Sequence, residues 1–376
     1  MNEVAIIGVG VHKFGHFADK SAEDMAEIAL RRALEDAGVH WKQVEYLAMS
    51  KFYDIASCSS LMLKRLGHTG IPTLNCDAAC AGGFVTMWHA CQAIKAGTVD
   101  LAVILGAEKS PRGMLPMPAY GTWRTEMGWA MPAIKGALML NAYMDRYRIT
   151  KTHLAKVSVK NHRNAALNPY AHLPLPNLTV EEVLNDEVIL EPLTKLMIGP
   201  TSEGAAAIVV CNAKHVKKYT TRKPVYVVGS VSATAPFTDI SGEPGLARAL
   251  AVRKVYELAG MGPKDIDFAC VHDAEAGFEL MCYQEAGFCA EGESGRMIDE
   301  GRTEIGGDIP VNPHGGFLGG GNAPGAVACA SMAEATWQLR GEAGARQVKD
   351  GTPKTGLCFH SGANDPSSVG AVILKS

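Results

Sequence analysis

Cys80 is the residue best placed for covalent chemistry. It closes the run Asn75-Cys76-Asp77-Ala78-Ala79-Cys80, which suits a strand, and Ala81-Gly82-Gly83 after it permits a sharp turn into a helix. A thiol at a helix N-terminus meets unpaired N–H groups and the positive end of the helix dipole. Both lower its pKa and favour the nucleophilic thiolate. The other nine cysteines (58, 76, 91, 211, 270, 282, 289, 329 and 358) sit mostly in apolar stretches and read as small buried hydrophobes in a reducing compartment. No Cys-x-x-Cys pair occurs, and His12, His16, His68, His89, His153, His162 and His172 lack ligand spacing, so no metal is expected. Gly315-Gly316-Phe317-Leu318-Gly319-Gly320-Gly321 lacks the Gly-Lys-Ser/Thr of a phosphate loop and does not follow the dinucleotide fingerprint. Backbones crowding an active site explain its glycines better.

The elements that must position Cys80 follow an α/β rhythm, with short β-branched runs alternating with helical patterns. Val4-Ala5-Ile6-Ile7-Gly8-Val9 reads as a buried strand, 21–37 as an amphipathic helix capped by Ser21 and closed by Gly38, and Tyr46-Leu47-Ala48-Met49 as a second strand. The same order returns later, with a strand at 225–229, a helix at 246–259 and a strand at 266–272. Ala37-Gly38-Val39 matches Ala259-Gly260-Met261, and the same offset sets His272 opposite Ser50. Cys80 opens a helix that runs to Gly97, as Asn322 opens one that runs to Gly341. Three matched pairs in register imply a duplicated fold, with halves at 1–224 and 225–376. The stretch 111–190 is rich in Met, Pro, Trp, Tyr and His and reads as an insertion into the first half, helical over 137–147 and 152–166. Insertions of this length usually carry a binding function. Its Met114, Met117, Tyr120, Trp123, Met127, Trp129 and Met131 are expected to line a pocket for a large apolar group.

Bulk properties exclude several classes. A net charge of −3 argues against general attraction to nucleic acid or anionic membrane. The start lacks the basic segment and apolar stretch of a secretory signal, and no run of about 18 apolar residues occurs. A cytoplasmic protein is expected.

Five motifs, in order, resemble those of the thiolase superfamily, nearest its sterol-carrier-protein-type branch. They are Asp77-Ala78-Ala79-Cys80-Ala81-Gly82-Gly83; Ile94-Lys95-Ala96-Gly97 with Val103-Ile104-Leu105-Gly106-Ala107-Glu108; Gly199-Pro200-Thr201-Ser202-Glu203-Gly204-Ala205-Ala206-Ala207; Val271-His272-Asp273-Ala274; and Asn312-Pro313-His314-Gly315-Gly316. The resemblance covers essentially the whole chain and implies a duplicated αβαβα fold. Two departures stand out. Asn322 replaces the histidine of the usual Gly-His-Pro, and His360 replaces the second cysteine of Cys-x-Gly, with Cys358 the runner-up for that role.

By this resemblance Cys80 is the nucleophile. His272 and Asn322, a pairing similar to that of ketoacyl synthases and hydroxymethylglutaryl-CoA synthase, would share one oxyanion site. The backbone N–H groups of Cys80 and Gly362 would form the other, and His360 would move protons. Asn312, Gly315 and Gly316, with Trp123 and Met127, are the expected contacts for substrate and coenzyme A, which serves as co-substrate, with no bound cofactor. The resemblance implies a thiolase that cleaves a 3-ketoacyl-CoA, of bulky or aromatic type as in benzoylsuccinyl-CoA. Claisen condensation, acetoacetyl-CoA cleavage, retro-aldol cleavage and a non-catalytic scaffold are the alternatives. It also implies a homodimer and, because the chain has no zinc motif of its own, a separate zinc-ribbon/OB-fold subunit.

Overall fold

The computed structural model describes residues 3–53, 56, 58–111, 126–127, 132–236, 246–348, 351–362 and 368–376. Strand β1 (Val4–Gly15) outruns its expected end because two bulges, at Ile6/Gly8 and His12/Gly15, let it keep pairing past Val9. Helix α1 (Ala22–Ala37) starts on a reciprocal cap between Ser21 and Asp24 and stops at Gly38, which takes a left-handed φ of 72°. The first half continues with β2 (Tyr46–Ser50), α2 (Cys58–Leu66), β3 (Thr73–Cys76), α3 (Gly82–Lys95) and β4 (Leu101–Lys109). Between this part and β7 (Glu203–Asn212) stand α4 (Pro132–Tyr147), α5 (Lys151–Ala165) and a small hairpin, β5 (Val188–Leu190) with β6 (Leu193–Thr194). The second half holds β8 (Val225–Ala233), α6 (Leu246–Ala259), β9 (Phe268–Val271), α7 (Ala276–Glu285), α8 (Gly316–Gly320), α9 (Pro324–Arg340), β10 (Thr355–Ser361) and β11 (Val369–Lys375).

Nine strands lie in the order β3-β2-β4-β7-β1-β8-β11-β10-β9, and the duplication is visible in this order. Outward from the β1–β8 seam, each half has an antiparallel pair, another antiparallel pair and then a parallel pair. The parallel pairing of β3 with β2 has its counterpart in a bridge between Val311 and Ala269. The seam is short, joining Val4–Ile6 to Val225–Val227.

Strand alternation sends side chains to three cores. Leu101, Val103 and Leu105 of β4 face α1, while Ala102 and Ile104 face α3 and α9. In the second half Leu357 and Phe359 of β10 face α4–α7, while Cys358 turns to the middle. Helices α3 and α9 therefore lie back to back between the two halves of the sheet. They touch closely enough that a Cβ on Gly83 would stand 2.7 Å from Cys329 Sγ. No helix among the described residues is long and apolar enough to cross a membrane.

Candidate active site

The parallel strands of both halves end on one side of the molecule, and four of the expected residues arrive there from four segments. Cys80 follows β3, His272 follows β9, His360 lies near the end of β10, and Asn322 precedes α9. The helix expected to open at Cys80 begins two residues later, at Gly82. Cys80 itself sits in a 3₁₀ turn, Ala79–Ala81. Ala79 has a φ of 43°, a left-handed conformation that costs a non-glycine residue free energy and is typically held at functional sites. This kink aims the thiol across the central layer, where Cys80 Sγ lies 3.7 Å from Asn322 Oδ1. Asn322 is held by its backbone, whose N–H donates to Pro200 O at 3.0 Å and whose carbonyl accepts from Ser202 N at 2.9 Å.

His360 is fully buried and bridges two elements. Its Nδ1 lies 3.3 Å from the Cys80 carbonyl oxygen and its Nε2 3.3 Å from Ser331 Oγ on α9. Donation from Nδ1–H to the carbonyl fixes the tautomer and leaves Nε2 to accept from the serine hydroxyl. The ring is clamped edge-on by Phe84, at 5.0 Å between centroids, and by Phe317, at 4.8 Å. Cys358 lies on the same strand face, as alternation requires, but one pleat deeper. Its thiol is 3.7 Å from Ser331 O.

His272 is the least satisfied polar group of the site. It is fully buried, yet neither ring nitrogen has a hydrogen-bond partner among the described residues. Its ring stands 6.1 Å from that of His360 and 5.2 Å from that of Phe317. A buried imidazole N–H without a partner is costly, and a catalytic role is one reason a protein keeps such a group. Burial pushes the His272 pKa well below the usual histidine value, with the Arg248 guanidinium adding to the effect. Burial likewise pushes His360 and His314 down to about 3. All three rings are therefore neutral at physiological pH, and each carries one N–H donor.

These depressed values have a consequence for stability. Unfolded, each histidine takes up a proton near pH 6.5; folded, His360 and His314 do so only near 3. Between those limits the unfolded state binds more protons, so stability falls as pH falls, by up to about 1.4 kcal/mol per pH unit for each ring. The thermal midpoint should drop from pH 6.5 to 4.5, and His360→Gln should flatten the slope. An equal slope in that variant would contradict the assignment.

The neighbouring Asp273 serves the backbone. Its carboxylate accepts from Phe317 N at 2.8 Å, from Leu318 N at 3.4 Å and from Asn161 Nδ2 at 2.8 Å, and burial beside the Glu279 carboxylate pushes its pKa up. Gly316, at φ 58°, allows this approach, because a Cβ there would fall 2.0 Å from Asp273 Oδ2. Behind it lies a sealed polar network. Lys160 Nζ pairs with Glu279 Oε1 at 2.8 Å and donates to Val311 O at 2.7 Å, and Asn161 Nδ2 donates to Glu279 Oε2 at 2.7 Å.

Several expected contacts take other parts. Asn312 spends its side chain inside the protein, accepting from Val271 N at 2.8 Å and donating to Glu279 Oε2 at 2.7 Å. Gly315 packs against Ala165 and Gly316 against Asp273, so these glycines shape the loop. The N–H of Gly362, expected in an oxyanion site, donates to Ser368 O at 2.7 Å within the hairpin. Met127 is 65% exposed and lines none of the described cavities. Trp123, Met114, Met117, Tyr120, Trp129 and Met131 lie outside the described residues. Sequence reasoning missed Ser331, Phe84 and Phe317 around His360, and the Lys160–Glu279 pair. A lysine on the buried face of the 152–166 helix was the available signal for that pair.

The arrangement offers a thiol, an unpartnered imidazole N–H, a carboxamide and a second neutral imidazole, which together suit attack on a carbonyl with charge developing on oxygen. Comparison with known proteins agrees with that chemistry. The family description "Thiolase, N-terminal domain" matches residues 4–214, and "Thiolase C-terminal domain-like" matches 241–375. An acetyl-CoA acetyltransferase of Methanothermobacter thermautotrophicus is 37% identical over 364 residues, covering 93% of this chain and 94% of its own. The benzoylsuccinyl-CoA thiolase subunit BbsB of Thauera aromatica is 30% identical over 356 residues, covering 92% and 91%. Among solved structures, an Ltp2-ChsH2(DUF35) aldolase superposes with a TM-score of 0.87 at 26% identity, covering 100% of this chain and 98% of that one.

Proposed function

This chain is an acyltransferase of the thiolase family, and on that premise we propose that it cleaves a 3-ketoacyl-CoA with coenzyme A through a thioester on Cys80. The observation that carries this reading is the Cys80 thiol, 3.7 Å from Asn322, with His360 on the Cys80 carbonyl and, 6.1 Å from the His360 ring, a buried His272 whose ring nitrogens are unspent. The thiolate attacks the keto carbon, and the adjacent carbon–carbon bond breaks. Its electron pair leaves as the enolate of an acyl-CoA, which takes up a proton. The thiol of coenzyme A then attacks the Cys80 thioester and carries off the acyl group, restoring the thiolate. His272 and Asn322 hold the thioester oxygen on which the enolate charge develops, and His360, which touches the Cys80 carbonyl, moves protons. The working division of the chain is at 224/225.

The acyl group has two readings. A bulky or aromatic group is supported by the likeness to the benzoylsuccinyl-CoA thiolase subunit, and an acetyl group by the acetyl-CoA acetyltransferase, the more similar of the two. Incubation with a panel of acyl-CoAs, followed by mass analysis of the Cys80 peptide, tests both. An acyl adduct is expected, and its mass names the group. Undiminished thiolysis with no adduct would defeat the mechanism.

Two assembly proposals go with this function. The chain pairs with a second copy through β3, the outermost strand of its half, where Thr73 and Asn75 are exposed. A dimer mass by light scattering at micromolar concentration is expected, and a monomer would refute it. A zinc-ribbon/OB-fold subunit completes the enzyme. The likeness to a structure named for two components, Ltp2 and ChsH2(DUF35), supports this. The chain purified alone should turn over weakly, and full turnover alone would remove the need for a partner.

A further inference from the structure

Behind the catalytic groups, on the far side of the glycine-rich loop, lies a chamber walled by Val11, Phe14, Tyr170, Val327, Ala330 and Trp337. It is a narrow slot open to solvent at its mouth, and its volume of about 400 Å³ takes in the space at that mouth. Glu334 and Asn168 of its polar lining are already paired, and the His314 ring also borders it. Glu334 pairs with Arg346 Nε at 2.8 Å and accepts from Gln338 Nε2 at 2.9 Å, and Trp337 is stacked on Tyr170 at 5.4 Å. With those groups occupied, the slot favours an apolar guest.

Phe317 is common to the slot and the catalytic centre. It lines the chamber, and its ring meets both His272, at 5.2 Å, and His360, at 4.8 Å. It is 1% exposed, and its N–H is fixed by Asp273. We infer that the acyl group carried by Cys80 points at Phe317, and that this ring is the partition limiting its length, shutting the acyl group out of the slot behind it. The substrates of the intact enzyme are then 3-ketoacyl-CoAs with a short acyl group. A slender unbranched tail, and not a ring, is what removal of the partition would admit. This inference rests on the thiolase reading of the same site.

The test compares kcat/KM for 3-ketooctanoyl-CoA and acetoacetyl-CoA. Phe317→Ala should raise the ratio of the longer to the shorter substrate at least about tenfold, the scale on which a pocket discriminates one or more methylenes. Filling the slot from its far wall with Ala330→Phe should cancel that gain in the double variant and leave the wild-type ratio unchanged. Phe317→Leu should show a smaller gain in the same direction and serves if the alanine variant does not fold. An unchanged ratio in the Phe317 variants, a gain that survives Ala330→Phe, or wild-type cleavage of an aryl 3-ketoacyl-CoA as fast as acetoacetyl-CoA would each overturn the partition. If no 3-ketoacyl-CoA is cleaved at all, the thiolase reading fails on its own. Calorimetry then decides the partition: Phe317→Ala should tighten octanoyl-CoA relative to acetyl-CoA about tenfold, and equal changes for both would refute it.

Discussion

Replacing Cys80 with alanine should leave a folded protein whose thiolysis is reduced by about three orders of magnitude or more. The side chain is small and 4% exposed, and its neighbours in the central layer are themselves small or apolar, Ala323 and Phe84 among them. Loss of one sulfur there costs little packing. The chemical loss is of another order, because no other thiol can take over its place. Cys358 is directed at Ser331 O, Cys329 packs under Gly83, and Cys76 lies back along β3. Burial also pushes the Cys329 pKa up to about 12, which keeps that thiol protonated. Thiolysis by the alanine variant at wild-type rate, with unfolding unchanged, would sink the covalent mechanism. The acyl adduct on the tryptic peptide should vanish in the same variant.

The second large effect is expected at the oxygen-binding pair. His272→Ala and Asn322→Ala should each cost on the order of 10²–10³ in kcat, the usual loss for one oxyanion donor. The two groups reach the site on different segments of the second half, one after β9 and the other before α9. If both serve one oxygen, the double variant should lose little more than the worse single one, because an oxyanion deprived of either partner is already poorly held. Losses that multiply would place the two residues in separate steps. Asn322→Asp is a useful companion, since it keeps the volume but puts negative charge where the oxygen must sit. It should be worse than alanine above the carboxylate range and recover partly on acidification.

The duplicated α/β order and the place of Cys80 were legible in the chain because both rest on local signals. Ser21 and Gly38 bracket a helix by their own chemistry, and β-branched runs name the inner strands. Bulges hid the full length of β1, since two extra residues disturb the period by which a strand is recognised. The surroundings of His360 were not legible, because Ser331, Phe84 and Phe317 come to it from three segments far apart in sequence. Motif likeness offered Asn312 as a ligand contact, whereas the fold gives its carboxamide to Val271 and Glu279. A motif identifies a position that matters, and only the hydrogen-bond partners say whether it serves the ligand or the backbone.

The back-to-back packing of α3 and α9 bears on how this chain folds. Each helix starts two residues after a site residue of its own half, Cys80 or Asn322, and rests against strands of the other, as α3 does on β8 and α9 on β4 and β7. A fragment ending near 224 would leave α3 with one face in water, and with it the apolar row Phe84, Met87, Cys91 and Ile94. The two repeats, alike as they are in plan, should therefore melt in a single cooperative transition and refold only together. Split at the seam and expressed separately, neither should stay in solution; expressed together, they should find each other and recover the thiol's reactivity.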